Sequence, residues 1–479
     1  MSKPIHQFSY DREKIHSGIL HIGVGNFHRA HLEYLTNLLL EDEDQAGWAI
    51  TGAMLLKQDE RLYRAMKSQN QQYTLTVCGR KGGTDVFRIG AMKELFWAME
   101  DADSILERIA SKDIKIITMT ITEGGYNTEK STGRFMLEDE AVAGDITDPS
   151  SPRTVFGFIT EGLRRRRCNG AGPITILSCD NLQHNGDTAR RSFMSFAEAQ
   201  DPSIAEWMRQ NVTFPNSMVD RITPATKPED IERLNRENGT DDACPVYCED
   251  FIQWVVEDNF AAGRPAWERV GCEMTDDVTL FENMKLSLLN ASHTLLSYPS
   301  FLAGYRKVDK AMGDERITKL VRQFMDKDIT PYVPQPPHTD LENYKQTLVE
   351  RFANPIVSDQ VSRLCFDGVS KFPVYVMVNL GQMIRDGKDL TRPAFLLACY
   401  RKYLKYGVDD LGQTFRYDEP WITAEDVRIL ESGSMTDFLG LSPFASVNLK
   451  ASEAFTSKYL EMVDRLDKKG TMSLLEEIL

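Results

Sequence analysis

The hydropathy pattern of this chain changes character once, near residue 279, and that change limits the folds open to it. Up to about Asp180, β-type runs alternate with helix-forming stretches. The runs cover residues 19–24, 48–55 (WAITGAML), 114–122 (IKIITMTIT) and 174–179 (ITILSC). Such alternation predicts an α/β domain built on a parallel sheet. A hairpin is expected from 73–77 to 86–89, turning through 80–83. Beyond Thr279 long amphipathic segments dominate: 281–304, 314–326, 340–353, 374–386, 394–406, 423–433 and 451–466. They predict a mainly α-helical second domain. The expected division is 1–278 and 279–479, with YVPQPP at 332–337 a loop inside the second part.

The first β–α unit carries the clearest motif. The run ILHIGVGNFHRAH, residues 19–31, leads an apolar strand into Gly23-x-Gly25 and then a helix. A helix N-terminus behind such a turn receives a pyrophosphate on backbone N–H groups. This predicts a Rossmann-type dinucleotide-binding domain. The usual G-x-G-x-x-G pattern is incomplete, because His28 stands where the third glycine belongs. Arg29 is expected to add a charged donor to phosphate. Past the second strand, Asp59 is the candidate for the adenosine ribose hydroxyls, although it lies 36 residues after Gly23 rather than about 20. Lys57 close by weakens its discrimination against a 2′-phosphate.

The second domain opens on FENMKLSLLNASHTLLS, residues 281–297. On an α-helix at about 100° per residue, Lys285, His293 and Asn290 project at roughly 0°, 80° and 140°, with Glu282 at roughly 60°. A base, an amide, an imidazole and a carboxylate on one half-buried face are costly unless they do chemistry. The alternative is a polar helix face with one satisfied histidine. Oxidation of a secondary alcohol needs a base, a hydride acceptor and donors for the charge that builds on oxygen. A lysine serves as that base when its pKa falls well below about 10.4, as burial and a nearby positive charge cause. Asn290 and Asn181 offer amide N–H groups for an oxyanion. Asn181 follows the run 174–179, at the carboxyl end of a strand where such folds bind ligands. Asn185, beside the Gly186 turn, is expected to be structural.

Composition narrows the classes. A net charge of −15 argues against general nucleic-acid binding. The RRRR run at 164–167 is expected to end a solvated helix, 155–167, near its negative dipole end. No stretch of 18 or more apolar residues occurs and the N-terminus shows no apolar signal core. The eight cysteines are scattered without zinc-site spacing, as in a cytoplasmic protein with reduced thiols. No metal is expected. The match Tyr10-x3-Lys14 precedes the nucleotide loop and so does not fit a short-chain dehydrogenase. A non-enzymatic nucleotide sensor would have no reason for the Lys285, Asn290 and His293 face.

These residues resemble the polyol-specific long-chain dehydrogenase/reductase, or mannitol dehydrogenase, family over nearly the whole chain. The resemblance rests on GVGNFHRAH, TITEGGY (120–126), SCDNLQHNG (178–186), FPNSMVDRITP (214–224), CEDFIQWVVEDNF (248–260), GRPAWE (263–268), Lys285-x4-Asn290-x2-His293, YKQTLVERFANP (344–355) and DGVSKFP (367–373). It implies an extended Rossmann domain followed by a helical domain. It implies Lys285 as acid/base, Asn181 and Asn290 on the oxyanion, His293 on the substrate and Glu282 as a proton relay. Cofactor contacts are expected from Gly23, Gly25, Asn26, Phe27, Arg29, Asp59 and Glu123. Asp220, Arg363 and Lys371 match positions near substrate, and Arg221 and Ser370 lie in the same motifs. The implied reaction is zinc-independent oxidation of a polyol, D-mannitol to D-fructose first, with NAD; NADP stays open. Reduction of fructuronate, or action on another hexuronate or pentitol, is the alternative. The expected partner is a small polyol or ketose, with no nucleic acid or membrane. The expected state is a monomer, with a dimer as alternative.

Overall fold

The computed structural model describes residues 4–129, 132–357 and 359–479. Residues 1–279 and 280–479 form two compact units.

The first unit is organised by six parallel strands: β1 (Ser17–Ile22), β2 (Ala49–Met54), β3 (Met92–Trp97), β4 (Ile116–Met119), β5 (Ile174–Ser178) and β6 (Val212–Thr213). Their spatial order is β3-β2-β1-β4-β5-β6. That is the doubly wound dinucleotide-binding order, and it reverses between β1 and β4. Leu20 of β1 stands beside Thr51 on one side and Ile117 on the other. Both sheet faces are covered. Ile19 packs into a core with Leu39, Trp254 and Trp267, while Leu20 and Ile22 enter another with Ile117, Phe156 and Phe193. Alternate side chains point to opposite faces, so burial on both sides makes these strands apolar throughout.

Two smaller sheets extend this unit. The expected hairpin forms as Tyr73–Cys78 and Thr84–Ile89, antiparallel. It is widened by Ile5–His6 and Val246–Glu249 into four strands. Ser217–Asp220, Gln253–Glu257 and Glu273–Thr275 form the third sheet.

The helix expected at 155–167 runs Val155–Cys168, but it is largely buried rather than solvated. Arg164 and Arg165 pair with Glu161, and Arg165 also with Asp103 and Glu107. Arg166 is inside the fold. Its guanidinium donates to the carbonyls of Ile109, Ser111, Ala171, Gly172 and Pro173.

The second unit is helical, and among its described residues there is no strand. Its long elements include Ala291–Leu302, Glu315–Gln323, Leu341–Phe352, Val378–Arg385, Thr391–Tyr406, Ala424–Ser432 and Glu453–Lys469. An aromatic core joins them, with Tyr400 4.7 Å from Tyr298 and 4.6 Å from Phe372 between ring centroids. Short 3₁₀ turns join some of these helices, and wider turns occur as well. Lys285–Asn290, Phe324–Ile329 and Pro373–Met377 are π-helical.

Candidate active site

In the first unit, the glycine turn sits at the end of β1, at the point where the strand order reverses. Gly23 has φ 93°, and a Cβ there would lie 2.1 Å from the Thr120 carbonyl oxygen. Both facts demand glycine. Thr120 Oγ1 donates to the Gly23 carbonyl at 2.7 Å, tying the turn to the loop after β4. Gly25 caps the helix Asn26–Ala30, and the nearest atom to a Cβ built on it is Gly23 O at 3.8 Å. The backbone there is approachable, and the first turn of a helix leaves N–H groups without intrahelical partners. A dinucleotide phosphate fits this cradle.

The missing third glycine has a packing reason. His28 is fully buried, and its ring lies on that of His21 at 3.4 Å between centroids. His21 holds the turn, with Nδ1 2.9 Å from Thr118 Oγ1 and Nε2 3.2 Å from the Gly23 carbonyl.

The Arg29 guanidinium is buried and donates to the Cys244 carbonyl and to Asn26 Oδ1, both at 2.6 Å. That charge braces the interior. The Asn26 amide is committed too, donating to the Pro224 carbonyl and Thr226 Oγ1. What Asn26 retains for a cofactor is its backbone. Phe27 is half-buried and stacks on His31.

Asp59 lies in the short 3₁₀ turn Lys57–Asp59 after β2, half-buried, and accepts the Leu56 N–H at 2.9 Å on Oδ2. Glu123 and Asn181 are exposed, at the carboxyl ends of β4 and β5. Asn185 is structural, as expected. Its amide donates to the Ser178 and Ser217 carbonyls and accepts from Ser217 N. A Cβ on Gly186 would meet Pro215 O at 2.4 Å. Asp220 is buried at the end of its strand. Arg221 donates to the Ala30 and Glu249 carbonyls and lies over the Tyr34 ring.

In the second unit, Glu282, Lys285 and Asn290 are 3 %, 8 % and 9 % exposed. The helix is not the uniform α-helix expected. Ala291 N–H donates to the Leu286 carbonyl, five residues back. In this π segment the hydrogen bond reaches i+5 rather than i+4, so Asn290 takes the place of an i+4 residue, roughly 40° from Lys285 instead of about 140° away. His293, three α-residues further on, falls about 60° back across Lys285, while Glu282 lies about 60° from Lys285 on the side of Asn290. The extra residue gathers the four groups around Lys285. The buried amide oxygen of Asn290 has no hydrogen-bond partner within the protein, which suits a group that waits for a ligand. The His293 ring packs on Phe352 at 4.2 Å.

Arg363 projects from the short helix Val361–Cys365, exposed, with its guanidinium paired to Asp359. The Lys371 ammonium donates to the carbonyls of Arg363, Leu364 and Phe366 at the end of that helix. Ser370 N accepts its place at the next helix start by donating to Asp367 Oδ1. Among the described residues, no three His, Cys, Asp or Glu side chains are grouped to hold a metal ion.

Sequence reasoning passed over Asp180, between Cys179 and Asn181. It is buried and accepts three hydrogen bonds from the loop after β4. The available signal was a carboxylate at a strand's carboxyl end.

Comparison with known proteins places this architecture. The chain is 40 % identical over 437 residues to a polyol:NADP oxidoreductase of Gluconobacter oxydans, covering 91 % of this chain and 90 % of that one. It is similar to a substrate-free D-sorbitol dehydrogenase structure, with 37 % identity and TM-score 0.92 over 98 % of this chain and 96 % of that one. It is also similar to Pseudomonas fluorescens mannitol 2-dehydrogenase in a ternary complex with NAD and D-mannitol. That match has 38 % identity and TM-score 0.86, over 99 % of this chain and 96 % of that one. Residues 17–269 match the mannitol dehydrogenase Rossmann domain and residues 277–467 the mannitol dehydrogenase C-terminal domain, so the chain belongs to the mannitol dehydrogenase family.

Proposed function

We propose that this protein is an NAD-dependent polyol dehydrogenase that interconverts D-mannitol and D-fructose. The observation that carries the reading is the buried Lys285 set one π turn below Asn290, whose buried amide oxygen has no partner within the protein. When bound, the nicotinamide ring supplies the acceptor for the hydride that leaves the carbinol carbon. The chain's own residues manage the proton and the charge. Lys285 Nζ takes the hydroxyl proton. Asn290 supplies an amide N–H to the oxygen as negative charge develops, and Asn181 is assigned the same duty. His293 orients the hydroxyl, and Glu282 passes the proton from Lys285 toward solvent.

Gly23, Gly25 and the backbone of Asn26 and Phe27 are assigned to the pyrophosphate, Asp59 to the adenosine ribose and Glu123 to the cofactor's nicotinamide half. Asp220 and Arg363 are assigned to the outer hydroxyls of the polyol. Mannitol is preferred over other polyols because of the match to the mannitol 2-dehydrogenase complex. No helix of the described residues is long and apolar enough to cross a membrane. The eight cysteines are free thiols, seven of them buried, which supports a cytoplasmic site of action. A monomer is proposed, to be checked by light scattering.

The test is a reductase panel of fructose, fructuronate, tagaturonate and xylulose with NADH and NADPH, and mannitol oxidation with NAD. Fructose and mannitol turnover with the NAD couple is expected. Turnover confined to the two hexuronates would overturn the mannitol assignment.

A further inference from the structure

One carboxylate joins the ends of β4 and β5. Asp180, directly after Cys179, is 7 % exposed. Its Oδ1 accepts Thr122 N–H at 2.8 Å, and its Oδ2 accepts Ile121 N–H at 3.1 Å and the Tyr126 hydroxyl at 2.7 Å. The Tyr126 hydroxyl is fully enclosed and also meets Ser178 Oγ at 2.5 Å. Three hydrogen bonds from one loop onto one buried side chain are more than a turn needs to close.

The reason lies at Thr122. Its φ of 65° and ψ of 167° fall in a region that glycine enters freely and a β-branched residue does not. Glycines stand at 124 and 125, so the chain uses glycine close by and still keeps threonine here. Such a conformation persists only where the surroundings over-determine it. The Asp180 carboxylate holds the peptide entering Thr122 through the Ile121 and Thr122 N–H groups and anchors the turn leaving it through the Tyr126 hydroxyl, where Gly125 N–H donates to the Thr122 carbonyl at 3.1 Å. The residue after Thr122 is Glu123, and the residue after Asp180 is Asn181, both exposed. The same loop meets the glycine turn through Thr120 Oγ1.

We propose that Asp180 is a positioning residue for the dehydrogenase reaction: its carboxylate clamps Thr122 in a glycine-type conformation and so fixes where Glu123 and Asn181 present their side chains. The proposal rests on the assignment of Glu123 to cofactor and Asn181 to the reacting oxygen. Asp180→Asn keeps the side chain's shape and replaces one acceptor atom by an NH2 donor, which must then face an N–H or hydroxyl of the loop.

The experiment compares Asp180→Asn, Thr122→Gly, their combination, Glu123→Ala and Asn181→Ala in the full chain. Readouts are kcat and KM for mannitol, the Kd for NADH by fluorescence, and the thermal midpoint. Asp180→Asn is expected to lower kcat about tenfold or more and to raise the NADH Kd severalfold. Adding Thr122→Gly should restore most of both, because glycine enters that conformation without strain and no longer needs to be forced into it. A defect that Thr122→Gly leaves uncorrected, or wild-type kinetics in Asp180→Asn, overturns the proposal. If Glu123→Ala and Asn181→Ala are both silent, the site assignment itself falls and the proposal with it. Should Asp180→Asn not fold, amide hydrogen exchange of the unmodified protein decides. Slow exchange at Ile121 and Thr122 relative to Glu123 and Gly124 supports the clamp, and equal fast exchange overturns it.

Discussion

The ring of His28 lies on the ring of His21, 3.4 Å between centroids and 13° from parallel, directly beneath the glycine turn. The pair explains why the nucleotide loop lacks its third glycine: a large ring there packs helix against strand, where other such folds use close backbone contact. His28→Gly would restore the familiar spacing and lose the fold's filling. We expect a loss on the order of 3 kcal/mol from the cavity, as for other buried rings, and about 1 kcal/mol more from glycine in a helix. Urea unfolding measures it; equal stability of the variant would refute the packing role.

The same histidine faces Glu33, with Nε2 3.4 Å from Oε2 and both side chains fully buried. Burial pushes Glu33 up to about 8, and burial with the Arg29 charge pushes His28 well below the usual histidine range. The pair is therefore neutral near pH 7 rather than a salt bridge. Burial raises Glu419 to about 7 as well. A carboxyl with a raised folded pKa contributes stability that is complete below its ordinary value of 4.5 and lost as pH rises through the folded one. His21 and His28 act oppositely: their neutral burial is free of cost above about 6.5 and opposes folding as pH falls below it. The thermal midpoint should rise as pH falls from about 8 to about 6.5 and level off below that, where protonation of the two histidines in the unfolded chain offsets the gain from the two carboxyls. Glu33→Gln should flatten the limb between about 6.5 and 8, and an unchanged limb would exclude Glu33 as its source.

Lys285→Ala should lower mannitol oxidation by ~10²–10⁴-fold, the usual loss for a general base. NADH affinity should hold, because the glycine turn belongs to the other unit. The circular dichroism spectrum should be retained. Near-normal turnover with the same pH profile would remove Lys285 from the mechanism.

Deleting Ser287, half-buried within the π segment, should return that stretch to α geometry. Asn290 would then become residue i+4 from Lys285, and its neighbours would shift around the axis. The loss should match or exceed removal of one oxyanion donor, about 2.7–4 kcal/mol in the barrier. Ser287→Ala is the control for side-chain loss. Equal kinetics of the deletion and the control would show that the extra residue is incidental.

Asp59→Ala should raise the relative use of NADP(H), because a carboxylate near the ribose repels a 2′-phosphate. One of its oxygens is engaged by Leu56 N–H, so the change should also loosen the 3₁₀ turn slightly. Cofactor ratios from kcat/KM, measured with both nucleotides, check this. An unaltered ratio would mean that the ribose contact lies elsewhere.

The strands of the central sheet were legible because burial on both faces leaves apolar runs of strand length, and the helical unit because its periodicity is sustained. The π turn was not, since one surplus residue within a helix barely alters the hydropathy period while it rotates everything beyond it. The carbonyl partners of Arg29 and Lys371 were not legible, for a common reason. A cation in a functional motif looks the same whether it meets a ligand or a carbonyl. For Arg29 that carbonyl belongs to Cys244, 215 positions away. Asp180 escaped notice because its partners are mostly backbone N–H groups, which no residue type announces. The small sheets were missed beyond their hairpin because strands such as Val246–Glu249 are too short to show alternation.

Arg166 has a practical consequence. The run of four arginines invites charge-neutralising substitution by anyone tuning solubility or surface binding, but Arg164 and Arg165 compensate the buried Glu161 carboxylate, and it is Arg167, bonded to Ser203 at the surface, that would tolerate it. The fourth is a mortar joint: its five N–H groups meet five carbonyls at the ends of two helices and the entry to β5. Lysine in its place would keep the charge and abandon at least two of those oxygens without partners. Of four adjacent and chemically identical side chains, one belongs to the skeleton, and only the folded molecule says which.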